Sequence, residues 1–273
     1  PQNRVDGIRV GNTNEYFGGI AEGEPLYQVV AFKMKHIIRT PEQLAAAIYD
    51  SYSKGYNPDD GTTVKGRKNM GDYEWVNRPG TTKAVVNGEE VEQINSEDKF
   101  VIGYSVPHST GGFSNTFRYK GLSLNVYLDW AIGHTIRHAQ MARQFINTFT
   151  GNTALNAGVL DTWSPQNPDA KYARFYSGGE SVSANFKNDS DVFAFKGDYL
   201  CIRELSLAWD LPKKFVSKLG MQGASITLAG NNLHYFTAVP GVSPEVGTMS
   251  TNAAGYNNYP PIRRISLGIK VIF

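Results

Sequence analysis

The chain has 273 residues, 41% of them hydrophobic, 12% aromatic and only 19% Asp, Glu, Lys or Arg, with 28 glycines and 13 prolines; this balance excludes a disordered or coiled-coil chain. Lys and Arg number 27 against 25 Asp and Glu, a formal charge of +2 with no basic block, which argues against a nucleic-acid partner. The single cysteine, Cys201, excludes an internal disulfide and a cysteine-built zinc cluster.

The first residues, Pro1-Gln2-Asn3-Arg4-Val5-Asp6, carry neither an initiating Met nor the charged and apolar regions of a signal peptide, and read as the middle of something longer. Apolar runs such as Val29-Val30-Ala31-Phe32 are far short of the roughly 20 residues of a spanning helix. A weak strand candidate occupies 25–34. Thr40-Pro41-Glu42-Gln43 has the form of an N-cap, a proline at the first helical position and a capping-box Gln, and predicts a helix that fades near Gly55.

From residue 110 the pattern is strand-like. Phe113, Phe117 and Tyr119 share a face of 110–119, and Lys120-Gly121 reads as a tight turn. Leu122, Leu124, Val126, Leu128 and Trp130 then alternate with Ser123, Asn125, Tyr127 and Asp129. Leu205, Leu207 and Trp209 share a face of 200–210, and Ile226 and Leu228 a face of 224–230. Between these two strands, 212–219 predicts a short helix closed by Gly220, with Phe215 and Leu219 stacked at i and i+4. The last strand places Ile265, Leu267, Ile269, Val271 and Phe273 on one side.

The connections alternate between short and long. Lys120-Gly121 and 211–223 are short, whereas 35–109, 133–199 and 235–263 far exceed the median of roughly 4–6 residues. Successive antiparallel strands reverse direction, so this rhythm puts all long links at one end of a sheet, as in a transmembrane β-barrel with short periplasmic turns and long extracellular loops. Strand length agrees: 122–130 rises about 30 Å, which a tilt of roughly 45° reduces to a little over 20 Å along the membrane normal. On this reading Leu122, Leu124, Val126, Leu128, Trp130, Leu205, Leu207, Trp209, Ile265, Leu267 and Ile269 face lipid, with Trp130 and Trp209 at the interfaces. A soluble, secreted all-β glycan-binding module is the alternative, and it would bury the same residues in a protein core. A secreted β-rich hydrolase would instead use Asp129 and Glu204, both on the polar face, as a carboxylate pair.

The terminal strand resembles the insertion signal of bacterial outer-membrane proteins in Ser266, Gly268, Val271 and Phe273. Further stretches, in order, resemble the SusC/RagA-type TonB-dependent transporters: Glu22-Gly23-Glu24-Pro25-Leu26, Phe100-Val101-Ile102-Gly103, Gly112-Phe113-Ser114-Asn115 through Lys120-Gly121, Gly197-Asp198-Tyr199 through Pro212-Lys213-Lys214, Asn231-Asn232-Leu233-His234-Tyr235-Phe236-Thr237, Gly241-Val242-Ser243-Pro244-Glu245-Val246 and Tyr259-Pro260-Pro261-Ile262-Arg263. The resemblance covers the chain from about residue 20. It implies about six C-terminal strands of an all-β, about 22-stranded transmembrane barrel, whose N-terminal strands and TonB-contacting plug lie in a preceding section. It further implies the outer membrane of a Bacteroidetes-type bacterium, a SusD-like lipoprotein partner, TonB acting through the plug, and import of oligosaccharide or oligopeptide without covalent chemistry or a cofactor.

One departure from the family stands out. Where many members carry an aspartate-rich calcium-like loop, 73–80 here reads Tyr-Glu-Trp-Val-Asn-Arg-Pro-Gly, so no calcium is expected at that loop. His134 and His138 have helical i, i+4 spacing but no acidic residue between them, and Asp59-Asp60-Gly61 reads as a solvated turn, so no metal is assigned. Arg203 alternates onto the apolar side, where its long chain would snorkel to the interface. Tyr16, Phe17, Tyr27, Tyr49, Tyr52, Tyr56, Tyr73, Trp75 and Tyr104 read as packing residues of the long segments rather than ligand-stacking ones.

Overall fold

The computed structural model describes residues 23, 25, 27–50, 54–56, 63–80, 83–146, 157–175, 189–245 and 261–273. The chain divides into two compact units, one of Pro107–His134, Lys196–Thr248 and Asn257–Phe273, the other of Pro1–Val106, Thr135–Phe195 and Met249–Tyr256. No helix among the described residues is long and apolar enough to cross a membrane.

The first unit is built on a five-stranded antiparallel sheet in chain order: Ser109–Tyr119, Leu122–Ile132, Tyr199–Asp210, Gly223–Thr237 and Arg264–Ile272. Its first turn is Lys120-Gly121, with φ of 46° and 84°, the positive pair that a two-residue type I′ hairpin requires. The Asp210 N–H donates to the Gly121 carbonyl at 2.8 Å. The second short link folds as one helical turn, Lys213–Val216, and a 3-10 turn, Ser217–Leu219, closed by Gly220 at φ 72°. Val216 is buried there, whereas Phe215 and Leu219 are both exposed. The three long connections leave from the other end of this sheet, where Ile132, Tyr199, Thr237 and Arg264 lie.

Register carries the apolar alternation across the whole sheet. Leu122, Trp209, Ile226 and Ile269 stand in one row, and Phe117, Leu124, Leu207, Leu228 and Leu267 in the next. Asn115, Val126, Leu205, Gly230 and Ile265 make a third. These rows are open: Leu207 is 45% exposed, Leu228 50% and Ile269 70%.

The sixth strand candidate, 25–34, is a correction. Its strand, Gln28–Phe32, pairs with Lys99–Tyr104 in a separate two-stranded sheet. Val29, Ala31 and Phe32 are all buried, so this strand lacks the half-buried alternation of the five-stranded sheet.

The second unit draws the intervening chain around an aromatic core of Phe32, Tyr73, Trp75, Phe145, Tyr172 and Phe193, with Ile37, Ile94, Met141 and Ala142. The helix begins at Thr40 as expected, with the Gln43 N–H donating to Thr40 Oγ1 at 3.3 Å and the Thr40 N–H to Gln43 Oε1 at 3.2 Å. It ends at Ala45 rather than near Gly55, because it buries no side chain and the chain turns into Tyr49–Asp50, parallel to Gln93 and Ile94.

Candidate functional site

Charged chemistry in the sheet unit gathers on the polar face at the long-connection end. Two irregularities create it. Between the second and third strands, Tyr127 pairs with Glu204 and Leu128 with Ile202, leaving Arg203 as an extra residue. Between the third and fourth, Ile202 pairs with His234 and Glu204 with Asn231, so the fourth strand holds the extra residue, and Asn232 takes φ 50°. A β-bulge breaks alternation and re-aims a side chain. Arg203 therefore comes to the polar face, and the expectation that it snorkels from the apolar side is overturned.

On that face Arg203 uses its whole fork. Nε donates to Asp129 Oδ1 at 2.9 Å and Nη2 to Asp129 Oδ2 at 2.7 Å, a bidentate pair. Nη1 donates to Asn232 Oδ1 at 2.9 Å and to Tyr235 Oη at 3.1 Å. Nη2 also contacts the carboxylate of Glu245, which arrives from beyond the fourth strand. One cation thus holds two anions, all three side chains being partly buried.

Glu245 is brought there by a short strap of chain in which Val239, Ser243 and Pro244 are buried. The Val239 N–H donates to Thr237 Oγ1 at 3.2 Å and the Glu245 N–H to Ser243 Oγ at 3.3 Å. The strap also meets His134, whose Nε2 lies 3.4 Å from the Pro244 carbonyl. Burial pushes the His134 imidazole below its ordinary value, opposed by the Pro244 carbonyl and by Asp198. Asp198 Oδ1 in turn accepts the Gly133 N–H at 2.6 Å.

This geometry is that of a structural tie. Asp129 stands opposite Cys201 and has both oxygens on Arg203, while Glu204 stands opposite Tyr127 and Asn231. The histidines do not share a helix: Thr135–Arg137 is a strand, and the next helix starts at Ala139. His138 instead accepts the Met141 N–H at Nδ1, 3.1 Å away. Among the described residues no three His, Cys, Asp or Glu side chains cluster as a metal site. In 73–80, Tyr73 and Trp75 are fully buried in the core of the other unit, and the Arg78 N–H donates to Asp98 Oδ1 at 2.7 Å. Tyr16, Phe17, Tyr52, the Tyr56 side chain, Asp59-Asp60-Gly61 and Tyr259-Pro260 lie outside the described residues.

The Arg203 tie was missed in the sequence because alternation assigns faces by counting, and one inserted residue reverses the count. The signal available was the Asn231-Asn232 doublet, since Asn is among the few residues that tolerate the left-handed region a bulge can need.

No protein-family model matches the chain. It is 31% identical over 197 residues to TonB-dependent receptor P26 of Formosa agariphila, covering 68% of this chain and 19% of that protein. It is 26% identical over 230 residues to TonB-dependent receptor P3 of the same organism, covering 81% of this chain and 21% of that protein. The RagAB peptide transporter structure superposes with a TM-score of 0.54 at 23% identity, over 80% of this chain and 24% of that one. The RagAB importer in its closed-closed state gives 0.53 over the same share of this chain. The chain is SusC/RagA-like. It spans about a fifth of the length of the curated relatives it matches. Those relatives are named as receptors, not enzymes, and the location they share with it is the outer membrane of a Gram-negative bacterium.

The SusC/RagA-like stretches now have structural places. The run from Gly112 to Gly121 is the first strand and its turn, and the run from Gly197 to Lys214 is the third strand with the link after it. Asn231-Asn232 supplies the bulge, and Gly241–Glu245 is the strap that ends on Arg203. In the terminal strand Ser266 stands opposite Ala229, Gly268 opposite Thr227 and Val271 opposite Ala224.

Proposed function

We propose that this chain forms part of the wall of a TonB-dependent outer-membrane nutrient importer. Its five-stranded sheet is a section of a transmembrane barrel of about 22 strands. The apolar rows face lipid, with Trp130 and Trp209 at the two interfaces, and the polar face with the Arg203 tie lines the lumen. The long links expected in 35–109, 133–199 and 235–263 lie outside the cell, the last of them starting only beyond Thr237, where the fourth strand ends. Ser266, Gly268, Val271 and Phe273 act as the insertion signal.

The observation that carries this reading is the exposed apolar face that the register carries from strand to strand, with Leu207 45%, Leu228 50% and Leu267 69% exposed. An aqueous protein rarely leaves so large an apolar surface open, and a soluble glycan-binding module would bury it. The remaining barrel and the plug come from the rest of the receptor, TonB acts through that plug, and a SusD-like lipoprotein covers the outer mouth. The cargo is an oligopeptide or an oligosaccharide, and the chain performs no covalent chemistry.

The test is extraction of the native protein from outer membranes, followed by mass analysis of whatever co-purifies. Recovery that requires detergent, with a larger receptor chain and a lipoprotein, supports the importer, and bound cargo identifies its class. A stable monomer in detergent-free buffer would sink the assignment.

A further inference from the structure

We propose that the link between the third and fourth strands, 211–222, is a foot that binds the anionic headgroups of phospholipids in the leaflet on the short-turn side; this rests on the lipid-facing reading of the apolar rows. From Leu211 to Gln222 the sequence holds Lys213, Lys214 and Lys218 and no carboxylate. All three lysines are exposed, and none has a partner among the described residues. A cluster of unpaired cations on one short segment calls for an anionic surface.

The foot is held in one shape. The Leu211 N–H donates to the Ala224 carbonyl at 2.9 Å and the Gln222 N–H to the Ile272 carbonyl at 2.8 Å, so both its ends are tied to the sheet. Within it the Met221 N–H donates to the Val216 carbonyl at 3.1 Å, across the turn that Gly220 closes. Val216 is the side chain this fold buries, and it leaves Phe215 65% and Leu219 73% exposed. Two apolar side chains therefore stand in the open among three cations. That is the make-up of a segment lying in a membrane interface, where apolar groups dip inward and lysine heads stay among the phosphates.

The neighbouring register puts headgroups at this height. The apolar row nearest the short turns runs through Tyr119, Leu122, Trp209, Ile226 and Ile269. Tyr119 and Trp209 are amphipathic rings of the kind that settle at headgroup level. Lys213 follows Trp209 by four residues, so at most roughly 14 Å of chain separates the aromatic row from the first cation. Lys120, in the turn beside that row, adds another, its Nζ 5.1 Å from the Tyr119 ring centroid. An acidic protein would match the charge alone. A phospholipid surface offers anion and hydrocarbon side by side, and this link presents a partner for each.

The experiment uses the full-length receptor with a fluorophore on Ser217→Cys, in phosphatidylcholine nanodiscs holding a minor fraction of spin-labelled phosphatidylglycerol or, in a parallel sample, spin-labelled phosphatidylcholine. At low salt the labelled phosphatidylglycerol should quench about threefold more strongly, and the excess should shrink as salt screens the lysines. Replacing Lys213, Lys214 and Lys218 together by Gln should abolish the excess while leaving the phosphatidylcholine quenching in place. Should that variant fail to assemble, Lys213→Gln with Lys214→Gln should reduce the excess by at least half. No excess in the parent, an excess that survives the replacements or high salt, or a fluorophore that neither lipid quenches overturns the proposal. A fluorophore on Leu207→Cys, read with chain-brominated lipid, separates the two readings: quenching there without the excess at Ser217→Cys rejects the foot and keeps the lipid-facing wall. No quenching at Leu207→Cys rejects the wall, and the foot with it.

Discussion

Arg203 meets Asp129 fork to fork across 74 residues of sequence, with Nε–Oδ1 at 2.9 Å and Nη2–Oδ2 at 2.7 Å, and the same guanidinium holds Glu245. Replacing Arg203 by Lys keeps the charge but not the fork, and leaves at least one carboxylate short of donors. The expected cost is about 1–3 kcal/mol, read as a lower thermal midpoint of the full-length receptor, with faster proteolysis in 238–245. Glu245→Gln should loosen that segment while leaving the Asp129 pair in place. Unchanged proteolysis in both variants would remove the tie from the account.

His134 predicts a pH effect with a definite sign. Burial holds its imidazole below the ordinary value in the folded chain, so the unfolded chain binds more protons between the folded value and about 6.5. Stability contributed by neutral His134 is present above that ordinary value and is lost as pH falls through it toward the folded one. Unfolding midpoints of the receptor compared at neutral and mildly acidic pH should differ less in His134→Gln than in the parent. An equal acid loss in both would assign the effect elsewhere.

The two faces of the sheet should respond oppositely to charge. Leu228→Arg places a guanidinium in the apolar rows, with an expected cost of roughly 2–4 kcal/mol in a bilayer. Thr227→Lys, one residue away on the polar face, should be tolerated. Heat-modifiable migration of membrane-extracted receptor reads the difference, and equal tolerance would contradict the lipid-facing assignment.

Phe145 tests the second unit on its own. It is fully buried, with ring centroids 4.6 Å from Tyr172 and 5.5 Å from Phe193. Phe145→Ala should cost about 3–5 kcal/mol, seen as proteolysis within 135–195 while the detergent-solubilised barrel stays heat-modifiable. Simultaneous loss of both would show that the units do not unfold separately.

At the first turn, Gly121 has φ 84° and a Cβ there would lie 2.9 Å from the Asp210 carbonyl oxygen. Gly121→Val should therefore destabilise by more than about 1 kcal/mol. Lys120→Asn, at φ 46°, suits a residue that visits that region readily and should raise the unfolding midpoint slightly.

The sheet was legible in sequence wherever a strand is long and half-exposed. Leu122 to Trp130 and Ile265 to Ile269 show period two because one face meets polar partners and the other does not. Three things were not legible. Gln28–Phe32 is buried on both faces and has no period to read. The second unit is made of short strands whose contacts span great distances, such as the Met34 N–H on Asp191 Oδ1 at 2.9 Å, 157 residues apart. The face of Arg203 depended on a bulge, which preserves composition and changes only phase.

The two bulges occur at one height and add in the same direction: the third strand spends one residue more than the second there, and the fourth one more than the third. Each extra residue bends its own strand and adds local twist, so the sheet creases at that height like a folded page while its strands stay paired on both sides. Arg203, bonded to Asn232 and Tyr235 of the next strand, pins that crease like a stitch through both leaves.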